Sequence, residues 1–150
     1  MKSNNILTIP NPWYLLSNIT IEDFIFGMLE LGKPIDVNLV GVFEDTGRGS
    51  LRDVELPLHR DGEYSEKLAK AQGGTYVEAK NVDIVGMYCL KSSDCVTLIE
   101  DKEMKFHTYR LQRIILKKNQ CLVWDNKTVR HGRQGKVGDR LILRIWIHVT

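Results

Sequence analysis

The sequence predicts a mainly β protein with flanking helices, and three observations carry that prediction. From residue 82 onward, short apolar runs recur between polar or glycine-containing breaks, as consecutive strands require. The last run, "RLILRIWIHVT", places an apolar residue at every odd position from 141 to 149. Clear helical periodicity is confined to the first half of the chain.

Taken in order, the elements have local causes. In "TIEDFIFGMLELG", Thr20 stands where an N-cap belongs and Asp23 follows three residues later. Phe24, Ile25, Met28, Leu29 and Leu31 make an apolar stripe, Gly32 sits at the C-cap position, and Pro34 blocks continuation. "VNLVGVF" (37–43) predicts a strand, "EDTGRGS" (44–50) a turn, and "VELPLHRD" (54–61) a second extended run. "EYSEKLAKAQ" (63–72) has helical composition and ends at Gly73 and Gly74. "VDIVGMYCL", "CVTLIE", "FHTYRLQRIIL", "QCLVWDN" and the final run complete seven strand candidates.

A chain of 150 residues suits one domain with a substantial core, with a helix-containing N-terminal segment over about 1–50 and a β core over about 51–150. A net charge of +2 is too mild to indicate a nucleic-acid or membrane partner by itself. The first residues lack the apolar run of a signal peptide, and no stretch has the apolar length to span a bilayer, so the expected location is cytoplasmic. Cys89, Cys95 and Cys121 form no CxxC pair, and their odd number predicts reduced, buried thiols.

In the final run, Leu141, Leu143, Ile145, Ile147 and Val149 occupy one face. Arg140, Ile142, Arg144, Trp146 and His148 occupy the other. If the apolar face packs on a second layer, the opposite face is solvated or lines a cavity, and its arginines suit an anion. Upstream, His59 and Asp61 are two positions apart on a predicted strand, so they share a face. They can form a salt-linked pair, an acid/base pair or two ligands of one metal. With His131 they make two histidines and a carboxylate, the facial set of non-haem Fe(II) oxygenases.

Four segments, "HRD", "YCLKSSDCVTLIED", "LVWDNKTVRHGR" and "GDRLILRIWI", resemble the Fe(II)/2-oxoglutarate-dependent oxygenases of the taurine dioxygenase-like superfamily over roughly residues 56–148. The chain is about half the length usual in that group. The resemblance implies a double-stranded β-helix core (jelly-roll, cupin-like) in a single oxygenase domain. It implies His59, Asp61 and His131 as iron ligands, and Thr97 as the hydroxyl that helps hold the distal carboxylate of 2-oxoglutarate. Arg140 aligns with the arginine that pairs with that carboxylate, and Arg144 is the other candidate because it lies on the same strand face. The implied reaction is hydroxylation of a small-molecule C–H bond by O2, with release of succinate and CO2.

The substrate is expected to be charged or amino-acid-like, since Arg144 and the basic loop around Lys127 and Arg130 suit a negative group. A homo-oligomer is a further expectation, because a short chain with exposed edge strands gains from dimerising. Oxidative demethylases of alkylated nucleic acid carry a different arginine and asparagine signature, which disfavours a nucleic-acid substrate. The alternative outside enzymes is a jelly-roll protein that binds metal or a small ligand without catalysis. Trp124, Asp125 and Asn126 are read as shaping the turn that presents His131, and Arg133 as a surface residue. His148 is read as peripheral, His107 as lacking a ligand companion, and Trp13 and Tyr14 as core.

Overall fold

The computed structural model describes residues 7–40, 56–59, 82–103, 108–134 and 139–150. They form β1 (Trp13–Leu16), α1 (Ile21–Leu31), β2 (Lys33–Val40), β3 (Leu56–His59) and β4 (Ile84–Lys91). After these come β5 (Val96–Glu103), β6 (Thr108–Ile114), β7 (Cys121–Asp125), β8 (Arg130–Gln134) and β9 (Leu141–His148). The protein is mainly β, as expected. One sheet has the order β1-β7-β4-β9-β2 and the other β3-β8-β5-β6. Every strand pair is antiparallel. From β2 to β9 each successive strand changes sheet, except at the β5–β6 hairpin.

Two cores result, one on each face of the five-stranded sheet. Between the sheets, Val85, Met87, Cys89, Leu122, Trp124, Ile142 and Trp146 pack with Ile99, Leu116 and Val129. On the outer face, Ile84, Tyr88, Cys121, Val123, Leu143, Ile145 and Ile147 pack with Phe24 and Met28 of α1, and with Leu7 and Ile19. The alternation read in the last strand therefore separates two environments. Leu143, Ile145 and Ile147 lie in the core that α1 covers, while Ile142 and Trp146 face the other sheet.

The helix begins where its cap predicts, with Thr20 Oγ1 accepting a hydrogen bond from the Asp23 amide at 3.1 Å. Its buried stripe is narrower than expected. Phe24 and Met28 are fully buried, but Leu29 is exposed. Two glycines let the helix approach the sheet. A Cβ on Gly86 would lie 2.6 Å from Met28 Cε, and one on Gly32 would lie 2.4 Å from the His148 carbonyl oxygen. Gly32 is extended, with φ 169°, so it serves close approach and not a left-handed turn. Tyr88 joins the layers through its hydroxyl, 2.8 Å from the Ile19 carbonyl oxygen and 2.9 Å from Asn119 Oδ1.

Other boundaries differ from the expectation. β2 begins at Lys33, before Pro34 and four residues ahead of the predicted strand, because β9 is long enough to pair Lys33 with His148. β1 and β8 were not foreseen. β8 reads "RHGRQ" and has no apolar alternation, so its strand character comes from its neighbours β3 and β5. The turn predicted over 44–50 and the helix over 63–72 lie outside the described residues. The three cysteines are buried, and burial pushes the Cys121 thiol up to about 12. Among the described residues no helix is long and apolar enough to cross a membrane.

Phe24 and Phe26 share one helix, but Phe24 is fully buried and Phe26 is 63% exposed. Urea denaturation should show Phe24→Ala losing about 3–5 kcal/mol of stability. Phe26→Ala should stay within about 0.5 kcal/mol of wild type.

Candidate functional site

The four-stranded sheet presents its polar residues through ladder register. On β5 and β8, Thr97 stands opposite Arg133 and Ile99 opposite His131. On the other edge of β8, His59 of β3 is the Cα partner of His131. The two candidate histidine ligands, far apart in sequence, are thus directly opposed in one ladder. Asp61 and His107 lie outside the described residues, and His59 is described by its backbone alone. Among the described residues no group of three histidine, cysteine or acidic side chains is placed to hold a metal. The His131 ring lies 4.7 Å from that of Trp124, centroid to centroid.

Facing this sheet, Arg140 precedes β9 and is 5% exposed. Its Nη1 donates to Thr97 Oγ1 at 3.0 Å, across 43 residues of sequence. That partner is a neutral hydroxyl. Burial raises the Cys89 thiol even though the Arg140 charge acts to lower it, so Cys89 supplies no thiolate counter-charge. Arg140 Nε is buried and has no hydrogen-bond partner among the described residues. A cation so placed is a natural receptor for an anionic oxygen.

Arg144 Nε is likewise buried with no hydrogen-bond partner among the described residues, but its other contacts differ. Its Nη2 donates to Asp36 Oδ2 at 2.9 Å, and its guanidinium carbon stands 4.5 Å from the centroid of the Trp146 ring. The two arginines left as alternatives by the sequence therefore have different partners, a hydroxyl for Arg140 and a carboxylate for Arg144. Asp36 escaped the sequence reading because its relevance depends on the β2–β9 register, in which it is the Cα partner of Trp146. Arg133, read as a surface residue, is 5% exposed. It is drawn inside by its place opposite Thr97.

The turn between β7 and β8 is built by the residues expected to build it. Asp125 Oδ1 accepts from the Lys127 amide at 2.9 Å, and Asn126 Nδ2 donates to the Val82 carbonyl at 3.1 Å. The basic residues of that loop are paired with carboxylates. Lys127 Nζ lies 2.9 Å from Asp83 Oδ1, and Arg130 Nε donates to Glu100 Oε1 at 2.8 Å. His148, read as peripheral, has its Nδ1 2.8 Å from Asp83 Oδ2. Trp13 packs on the core between the sheets and Tyr14 on the outer core. Compared with known proteins, the sequence matches no family model, no curated protein and no solved structure.

Asp83 is the electrostatic knot at the far end of β9. Desolvation acts to raise its carboxyl, but hydrogen bonds from Lys127, the Val149 amide and His148, with the Lys127 charge, outweigh it and hold the carboxyl below its ordinary value of 3.8. Ionised Asp83 therefore stabilises the fold above that value, and the contribution is lost as pH falls through the lowered folded-state value. The stability difference between wild type and Asp83→Asn should be level near neutral pH and shrink below pH 3.8, measured by urea denaturation at stepped pH.

Proposed function

We propose that the chain is an Fe(II)- and 2-oxoglutarate-dependent dioxygenase that hydroxylates a C–H bond of a small molecule on a double-stranded β-helix. The strand orders support the fold reading. Within the two sheets, β2-β9-β4-β7 lies against β3-β8-β5-β6, and the chain passes between them at nearly every step. That interleaving is how a jelly roll is wound.

The observation that carries the functional reading is the buried bond between Arg140 and Thr97. Motif position alone had assigned both residues to one carboxylate. The donor chemistry fits: a guanidinium fork can bind both oxygens of a carboxylate, and the Thr97 hydroxyl adds a third contact. His59 and His131 would hold the iron with Asp61. Opposed residues of an antiparallel ladder keep their Cα atoms about 4.5–5.5 Å apart, so the sheet itself fixes the spacing of the two histidine backbones. Trp124 packs on the His131 ring and limits its rotation.

When bound, the iron supplies O2 activation coupled to oxidative decarboxylation of 2-oxoglutarate to succinate and CO2. The chain's own residues orient and exclude. Arg140 and Thr97 set the direction of the cosubstrate, and their burial keeps water from the far carboxylate.

Anaerobic titration with Fe(II) and then 2-oxoglutarate tests this. Wild type should develop the weak visible charge-transfer band of a chelated complex, and His131→Ala should lose it. Arg140→Gln should weaken 2-oxoglutarate binding by at least about 30-fold, the loss expected when one partner of a buried charge pair is removed. Thr97→Val should cost about 10–100-fold, a single hydrogen bond to a charged carboxylate. Arg144→Gln should leave the affinity within about threefold, since its charge is already met by Asp36. Iron binding without the band would make the protein a metal-binding jelly roll. No iron binding at all would return His59 and Asp61 to an ordinary ion pair.

A further inference from the structure

On the inner face of the five-stranded sheet, one ladder row places Trp124 and Trp146 on either side of Val85, which is the Cα partner of both. Each tryptophan is at least nine-tenths buried, and each indole Nε1 is buried with no hydrogen-bond partner among the described residues. An indole nitrogen only donates. Two orphaned donors in a core are costly unless a ligand brings acceptors to them. Trp124 also touches the His131 ring, which puts the row beside the residue assigned to the iron.

The same row ends at Asp36, the Cα partner of Trp146. Arg144 sits two residues along β9 from this row, with its guanidinium over the Trp146 ring and its charge on the Asp36 carboxylate. Arg144 Nε is buried without a partner among the described residues, as Arg140 Nε is. An anion that approached Arg144 would, however, also meet the Asp36 carboxylate, and like-charge juxtaposition opposes binding. Lys127 and Arg130, which the sequence also offered to a negative substrate, are paired with Asp83 and Glu100.

We infer that the substrate received beside Arg144 and the two indoles is an uncharged molecule bearing hydrogen-bond acceptors, and not an anion. This inference rests on the reading of Arg140 as the cosubstrate clamp. Asp36 is then a specificity residue, which cancels the cation that a carboxylate or sulfonate substrate would need.

The test uses 15N-labelled protein without iron, saturated with 2-oxoglutarate. The three tryptophans give three indole resonances, assigned with single Trp→Phe variants. Acetamide and acetate are the probes, because they match in size and differ in charge. Acetamide should shift the Trp146 or Trp124 indole signal with a midpoint at least tenfold lower than acetate. Asp36→Asn should remove that preference and bring acetate to equal or lower midpoints. Acetate matching acetamide in wild type overturns the inference, as does an absence of shift at both indoles with both probes. So does an Asp36→Asn variant that keeps the wild-type preference. Binding of 2-oxoglutarate is read separately at the Arg140 Nε resonance. If that signal does not respond, the clamp reading fails and the inference falls with it. A normal Arg140 response with acetate preferred overturns the inference alone.

Discussion

The arrangement depends on one constraint, the two-residue period of β9 with burial on both sides. A strand in the middle of a sheet must satisfy two different neighbours with alternate residues. Leu143, Ile145 and Ile147 join the core under α1, while Ile142 and Trp146 face the second sheet. A shift of one residue would place Arg144 under the helix and Leu143 against the site, so the register is strongly specified. Pairing with β4 on one edge and β2 on the other then transmits that register to Val85 and Asp36. The two cores share one strand.

Electrostatics sorts the cations into two kinds. Lys127, Arg130 and Arg144 each meet a carboxylate. Their pairs are partly exposed, so each adds little to stability and chiefly fixes where a charge is not available. Arg140 is buried, and the partner that the structure gives it is the Thr97 hydroxyl. Among the described residues no carboxylate pairs with it, and burying a guanidinium without one costs several kcal/mol. The contrast between Arg140, just before β9, and Arg144, four residues later within it, is the basis for reading one as a clamp and the other as part of a neutral surface.

Much of this was legible from the chain because its local chemistry agrees with its packing. The Thr20 cap, the buried Phe24 and Met28, and the apolar face of the last strand all follow from spacing. β8 was not legible as a strand, for a physical reason. Its buried and half-buried positions carry Arg133 and His131, so "RHGRQ" lacks the alternation that marks a half-buried strand. Arg133 was misread for the same reason, since an arginine beside a glycine looks solvated until Thr97 is seen opposite it.

By itself the sequence determined which residue types exist and how they alternate: a mainly β chain, one capped helix, and arginines on a single face of the last strand. Those are local properties, set by backbone periodicity and side-chain chemistry. Only the tertiary structure decided partners. Thr97 meets Arg140, Asp36 meets Arg144, and His59 stands opposite His131 because strands distant in the chain pair in one register. Register is set by the sum of many apolar contacts across both cores, and no short stretch of sequence carries that sum.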